Sequence, residues 1–188
     1  MIVAVVGDSI SAGSPLWDPD PAVRATIAAP DERSQWQWWA TASAPHLSFR
    51  TRAVYGKRTD EIERFVDDVA GGADVLVVQG GINDVVQRRP VEDAARSLAA
   101  MVERGRSLGL RVALADVLPW PRGDERAARD IARLNELVHA IPGVTSLRFH
   151  DTLAQVDFEW SDDGDHPSVE GHRLLGEEAA RALSELEL

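Results

Sequence analysis

Residues 2–9 read Ile-Val-Ala-Val-Val-Gly-Asp-Ser, an apolar run that ends at once in a small, polar turn. The run is rich in β-branched residues and lacks the polar alternation of a strand with one face in water. Two later runs share this character, Asp74–Gln79 and Arg111–Val117. Runs of this kind predict parallel strands that are covered on both faces.

Weaker strand signals lie near Leu47–Val54 and Val144–Arg148. Between the strands, apolar residues recur at the spacing of an amphipathic helix. This spacing predicts helices over Thr59–Ala70, Val91–Leu108, Glu125–Ala140 and about Val169–Leu186, with Ser168 as the N-cap of the last. A shorter helix is predicted over Trp36–Ser43. Because strand and helix alternate throughout, we predict one doubly wound α/β domain that spans residues 1–188.

The composition excludes several classes of protein. The 188 residues contain no cysteine, which excludes disulfide bridges, thiolate metal ligands and a cysteine nucleophile. The 31 acidic and 20 basic residues give a net charge of −11, so binding to nucleic acid or anionic lipid is not expected. No apolar stretch approaches the ~18–20 residues of a membrane span, and no export signal precedes the first strand. These features predict a soluble, cytoplasmic protein without a membrane span.

One long segment, residues 12–35, breaks the alternation of strands and helices. It contains four prolines and is predicted to be a loop with at most a short helical turn. Because it starts close to Ser9, we expect it to border a substrate pocket. Trp17 from this loop, together with Trp36 and Trp120, is predicted to supply an apolar surface of that pocket. Packing in the core is the alternative for Trp36.

Residues that can take part in catalysis follow the predicted strands at their carboxyl ends, where a doubly wound sheet binds its ligands. Ser9 follows the first strand, Gly56 the second and Asn83 the third. Asp163 and His166 lie just ahead of the last helix. Each of these residues alone is typical of an ordinary turn or polar loop. Together they are the parts that acyl transfer requires.

A serine hydroxyl becomes a nucleophile when an imidazole removes its proton, and a carboxylate on the other ring nitrogen orients that imidazole. Amide and backbone N–H groups then stabilise the oxyanion. Asp163 and His166 lie three residues apart, and Pro167 disfavours helical backbone at His166, so this pair is expected on one loop. The acidic cluster of Asp162, Asp163 and Asp165 beside His166 leaves a metal site open as an alternative.

These segments resemble the four sequence blocks of the GDSL/SGNH hydrolases, which here read Gly7-Asp8-Ser9, Gly56, Gly81-Ile82-Asn83-Asp84 and Asp163-x-x-His166. The resemblance implies a flavodoxin-like, three-layer α/β/α fold and ester hydrolysis without a metal or an organic cofactor. It also implies that Ser9 is the nucleophile, His166 the general base and acid, and Asp163 the carboxylate that orients His166.

The oxyanion hole implied by the resemblance consists of the backbone N–H groups of Ser9 and Gly56 and the side-chain amide of Asn83. The second block departs from the family's pattern, with Thr51 and Ala53 ahead of Gly56. We predict a serine esterase that acts on a small-molecule ester with a small to medium acyl group. The alternatives are removal of acetyl groups from a carbohydrate or natural product, thioester cleavage by the same residues, and a non-catalytic binding domain.

Overall fold

A parallel sheet lies at the centre of the computed structural model, which describes residues 1–187. Its strands are β1 (Ile2–Gly7), β2 (Ser48–Ala53), β3 (Val75–Val78), β4 (Arg111–Ala115) and β5 (Thr145–Leu147). They pair in the order β2-β1-β3-β4-β5, and every pair is parallel. The winding direction therefore reverses between β1 and β3, which is where a sheet of this type forms its binding crevice. All five predicted strands are confirmed.

The described part of the chain contains α-helices on both sides of this sheet, with bounds α1 (Ser9–Ala12), α2 (Pro21–Arg24), α3 (Trp36–Ser43), α4 (Thr59–Ile62), α5 (Val66–Ala70), α6 (Ile82–Val86), α7 (Val91–Ser107), α8 (Glu125–His139), α9 (Phe149–Ala154) and α10 (Val169–Ser184). The predicted helices at α3, α7, α8 and α10 are confirmed, and Ser168 caps α10 by accepting the backbone N–H of Gly171. Among these described helices, none is long and apolar enough to cross a bilayer.

Two apolar layers explain why the strands carry so few polar residues. On β1, Val3 and Val5 pack into one layer, while Ala4 and Val6 pack into the other. The first layer joins the sheet to α3, α9 and α10, and the second joins it to residues 59–70, α7 and α8. Both faces of the sheet are thus covered, which gives a three-layer α/β/α architecture.

Two of the predicted segments differ from the structure. The helix predicted over residues 59–70 is divided into α4, a 3₁₀ turn at Glu63–Phe65 and α5, because the tighter bonding of the turn interrupts the α-helical ladder. The loop at residues 12–35 contains two short helical turns instead of at most one, namely α2 and a 3₁₀ turn at Glu32–Ser34. Asp20 and Asp31 begin these turns as N-caps, so the polar loop satisfies part of its own backbone.

Candidate active site

Ser9 is the first residue of α1 and follows the end of β1 almost directly. Asp8 is the N-cap of this helix, and its Oδ1 accepts the backbone N–H of Ile10 at 3.0 Å. The preceding Gly7 leaves no room for a side chain, because a Cβ there would lie 2.7 Å from Gln79 Oε1. The same Gln79 oxygen accepts the backbone N–H of Asp8 at 3.3 Å. The turn thus holds Ser9 at the carboxyl end of β1.

The carboxyl group of Asp8 is fully buried beneath this turn. Burial raises the pKa of Asp8 from 3.8 to about 6, although the hydrogen bond from Ile10 opposes the rise. Its second oxygen, Oδ2, is buried without a hydrogen-bond partner among residues 1–187. A carboxylate buried in this way costs stability at neutral pH.

His166 and Asp163 form a hydrogen-bonded pair on the loop ahead of α10. The distance between His166 Nδ1 and Asp163 Oδ2 is 2.7 Å. The other oxygen, Asp163 Oδ1, accepts the backbone N–H groups of Asp165 and His166 at 2.9 and 3.0 Å and the hydroxyl of Ser161 at 2.8 Å. Burial opposes ionisation of Asp163, yet the hydrogen bonds together outweigh it and lower its pKa to about 2. The ionised carboxylate therefore holds Nδ1 of His166 as the donor, which leaves Nε2 as the acceptor.

Asn83 lies in the first turn of α6, just after β3. Its Nδ2 donates one hydrogen to the carbonyl oxygen of Lys57 at 3.0 Å, which leaves the second amide hydrogen for another acceptor. Gly56 occupies the turn after β2 with a φ of +73°, and no atom lies within 4 Å of the position that a Cβ would take. Because Lys57 follows Gly56 directly, the hydrogen bond from Asn83 ties the two predicted oxyanion segments together.

Asp84 connects the same two segments on their buried side. Its carboxylate accepts the backbone N–H and the hydroxyl of Thr59, at 3.0 and 3.1 Å. Burial raises the pKa of Asp84 above its ordinary value, and the hydrogen bonds from Thr59 oppose that rise. The start of α4 and the start of α6 are therefore joined on both sides of the turn.

Ser9, Asn83 and His166 line one cleft at the carboxyl ends of the strands. The cleft has a volume of about 130 Å³, and its apolar walls include Ile82, Val86 and Trp120. A larger pocket of about 350 Å³ adjoins it at His166 and Tyr55. We call this the Trp17 pocket, since it is lined by Pro15, Trp17, Val23 and Ile27. The structure thus brings the predicted serine, asparagine and histidine together from three distant parts of the chain.

The sequence matches the model of the GDSL-like lipase/acylhydrolase family over residues 5–174. The chain belongs to this family. Among curated proteins, none matches the sequence significantly. The family match confirms the resemblance that the four sequence blocks indicated.

Solved structures with the same fold agree with this assignment. TesA is 20% identical to this chain, with a TM-score of 0.78 and 99% of each chain covered. A member of the lipolytic G-D-S-L family from Veillonella parvula is 17% identical, with a TM-score of 0.80 and 98% of each chain covered. Axe2, an acetylxylan esterase from Geobacillus stearothermophilus, is 17% identical, with a TM-score of 0.73 and coverage of 97% of this chain and 93% of that one. At these identities the likeness establishes the GDSL/SGNH hydrolase fold and no more.

Of the three tryptophans predicted to form the pocket of this GDSL family member, two line it. Trp17 lines the Trp17 pocket and Trp120 lines the cleft beside Ser9. Trp36 is fully buried in the core, with its ring edge-to-face against Phe49 and Phe149 at 5.5 and 5.6 Å. The predicted substrate contact of Trp36 is therefore wrong, and the alternative of core packing is the observed one.

Two residues at the site were not singled out as substrate contacts from the sequence. Tyr55, directly before Gly56, lines both the cleft and the Trp17 pocket, and its ring centroid lies 6.2 Å from that of His166. Asp165 also lines both, and it accepts a hydrogen bond from Trp120 Nε1 at 2.8 Å. The position of Tyr55 directly before Gly56, a predicted oxyanion residue, could have indicated that its side chain lies at the site. No sequence signal connects Asp165 with Trp120, which is 45 residues away.

The acidic cluster beside His166 does not converge on a common point. Asp163 forms hydrogen bonds with His166 and with the backbone of its own loop, whereas Asp165 accepts a hydrogen bond from Trp120. Across residues 1–187, no group of three or more His, Asp or Glu side chains is arranged to hold a metal ion. The metal alternative therefore has no ligand set in the part of the chain that the structure describes.

The other histidines have surroundings unlike that of His166. His172 is fully buried in α10, and burial lowers its pKa to about 3, so it is neutral at ordinary pH. His139 Nε2 lies 3.2 Å from the carboxylate of Asp116, and the backbone N–H of His150 donates to the same carboxylate at 2.6 Å. Within residues 1–187, His166 is the histidine that lines the cleft with Ser9.

Proposed function

We propose that this GDSL family hydrolase is a carboxylic ester hydrolase that forms an acyl-enzyme on Ser9. The contact of 2.7 Å between His166 Nδ1 and Asp163 Oδ2 carries this proposal. It holds an oriented imidazole in the same cleft as a serine at a helix start and an asparagine amide with a free hydrogen. This combination supplies a base, a nucleophile and an oxyanion donor without a metal or an organic cofactor.

The reaction proceeds in two halves. In the first, Ser9 Oγ attacks the ester carbonyl and passes its proton to Nε2 of His166, while Asp163 stabilises the imidazolium. The backbone N–H groups of Ser9 and Gly56 and the amide of Asn83 stabilise the oxyanion. His166 then gives the proton to the leaving alcohol. In the second half, His166 takes a proton from a water molecule, whose oxygen attacks the acyl carbon. The bond to Ser9 Oγ then breaks, Ser9 receives the proton from His166, and the acid is released.

The small cleft favours esters with short acyl groups. A second candidate function is therefore the removal of acetyl groups from a hydroxylated molecule. With about 130 Å³ beside Ser9, the cleft accommodates an acetyl group readily and a long chain poorly. The larger Trp17 pocket, of about 350 Å³, leaves room for a bulky alcohol on the side of His166. Axe2, which has the same fold, is described as an acetylxylan esterase.

Hydrolysis of p-nitrophenyl acetate, butyrate, octanoate and palmitate tests the proposal. We expect activity on the short esters in the wild type and its loss in Ser9→Ala. The matched control is Ser107→Ala, which makes the same change at an exposed position on α7. A fluorophosphonate should label the wild type and Ser107→Ala but not Ser9→Ala. A wild type that is neither active nor labelled would favour a non-catalytic binding domain.

A further inference from the structure

Trp120 lines both the cleft that contains Ser9 and a second, apolar cavity. The second cavity has a volume of about 280 Å³, and Trp120 is a lining residue that it shares with the cleft. We call this the side cavity, since it lies between the β4–α8 loop and α9. Its walls come mainly from Pro119, Pro121, Ile131, Leu153 and Trp160. The two spaces therefore meet a common wall residue at Trp120.

The position of this indole depends on local contacts at the loop after β4. Trp120 Nε1 donates to Asp165 Oδ1 at 2.8 Å, and Arg122 lies 3.5 Å from the same carboxylate. Gly123 allows the ring to lie close to the backbone, because a Cβ there would come within 2.8 Å of the Trp120 ring. Trp120 is itself only partly buried. The side chain that lines both spaces is thus held by a hydrogen bond to Asp165.

The chemistry of the reaction decides which arm of the ester faces this wall. His166 protonates the leaving oxygen, so the alcohol must lie against His166. The Trp17 pocket includes His166 but neither Ser9 nor Asn83, and it therefore suits the alcohol. The acyl carbon is bound to Ser9 and its oxygen faces Asn83. The acyl chain therefore extends along the apolar end of the cleft, which Ile82, Val86 and Trp120 line.

We propose that Trp120 sets the acyl-length limit of this enzyme. Held against Asp165, its indole confines the acyl arm to the cleft, and its removal joins the cleft to the side cavity and admits longer apolar chains. This inference rests on the proposed ester hydrolysis. It assigns the side cavity to acyl chains and identifies Trp120 as a specificity-determining residue.

The ratio of kcat/KM for p-nitrophenyl octanoate to that for the acetate tests the inference. Burial of each additional methylene strengthens binding of the transition state about fourfold. If three methylenes enter the side cavity, Trp120→Ala should raise the ratio by about 60-fold. Trp120→Leu, which keeps apolar packing on the loop, should raise it in the same direction by a smaller factor. The matched control is Trp38→Ala on α3, whose indole donates to Glu32 and lines neither space.

A second substitution asks whether the side cavity is the cause of the change. Ala128 lies on an exposed face of α8 and lines the side cavity, so Ala128→Trp should fill it. We expect the double variant Trp120→Ala/Ala128→Trp to return the ratio to near the wild-type value. A ratio within about threefold of wild type in both Trp120 variants would overturn the inference, and so would a raised ratio that Ala128→Trp leaves unchanged.

A binding measurement separates failure of this inference from failure of the proposed function. In a Ser9→Ala background, titration calorimetry compares neutral amides of different length, hexanamide against acetamide. Trp120→Ala should tighten binding of hexanamide by at least about tenfold and leave acetamide unchanged. If no ester is hydrolysed by the wild type, the proposed function fails, while this result still shows whether the side cavity takes an alkyl chain.

Discussion

Replacing the buried Asp8 by asparagine should stabilise the protein, and the gain should grow as the pH rises. Asparagine caps a helix about as well as aspartate, so the hydrogen bond from the backbone N–H of Ile10 to the side-chain oxygen is retained. The two side chains have nearly the same size. What the substitution removes is the charge of a fully buried carboxylate whose second oxygen has no hydrogen-bond partner among the described residues.

The magnitude follows from the pKa of Asp8, which burial raises from 3.8 to about 6. The folded-state pKa of Asp8 is higher than its unfolded-state pKa. Below pH ~3.8 Asp8 is protonated in both states and the fold has its full stability, and part of this stability is lost as the pH rises through about 6. A pKa shift of about two units means that ionisation of Asp8 lowers the free energy of unfolding by about 3 kcal/mol at pH 8 and by about 1.5 kcal/mol at pH 5. The advantage of Asp8→Asn should therefore grow by about 1.5 kcal/mol between these two pH values.

Urea unfolding of the wild type and Asp8→Asn at pH 5 and pH 8 measures this difference. The matched control is Asp20→Asn, at the exposed N-cap of α2, where the side chain accepts the backbone N–H of Ala22. The control should gain less than Asp8→Asn, because the side chain of Asp20 is exposed whereas that of Asp8 is fully buried. The reasoning is refuted if Asp8→Asn changes the free energy of unfolding by the same amount at both pH values.

Three further substitutions have expected effects that standard assays can measure. Asn83→Ala removes the proposed oxyanion donor and should lower kcat by about 10²–10³ with little change in the urea midpoint, since its hydrogen bond to Lys57 is only partly buried. Asp163→Asn removes the acceptor of the His166 Nδ1–H and should lower kcat by roughly 10⁴ with KM nearly unchanged, measured on a short p-nitrophenyl ester. Gly81→Ala should cost about 2–4 kcal/mol in thermal unfolding, because φ is +117° and the new Cβ would lie 2.9 Å from Leu134.

The sheet could be predicted from the sequence because its strands are buried on both faces. An apolar, β-branched run such as residues 75–78 has few other places in a folded chain. The helices α1, α6 and α9 were not predicted, since they contain four to six residues and are too short to show a helical period. Their ends depend on local caps such as Asp8 and on contacts with distant segments.

The candidate catalytic residues were easier to place from the sequence than the walls of the pocket. Ser9, Asn83 and His166 each follow a strand or precede a helix, so the topology of the sheet brings them together. Tryptophan gives no comparable signal, because the same apolar ring suits the core and the pocket. Trp36 is in the core and Trp120 is at the cleft, and what separates them is packing across many residues. The hydrogen bond between Trp120 and Asp165 likewise joins residues far apart in the chain, and no local sequence pattern predicts it.

Two buried acids lie next to two of the side chains proposed to act on the ester, Asp8 beside Ser9 and Asp84 beside Asn83. Burial raises the pKa of both, so each costs stability at neutral pH. A neutral side chain could satisfy the same backbone N–H groups, but a carboxylate makes the stronger, charge-assisted hydrogen bond. We infer that these charges hold the turns beside Ser9 and Asn83 in place through the backbone N–H groups of Ile10 and Thr59. If Asp8→Asn is more stable and has a lower kcat, the carboxylate of Asp8 lowers the stability of the fold but positions the turn that holds Ser9. A variant that is more stable and equally active would show that the charge at Asp8 contributes nothing to the reaction.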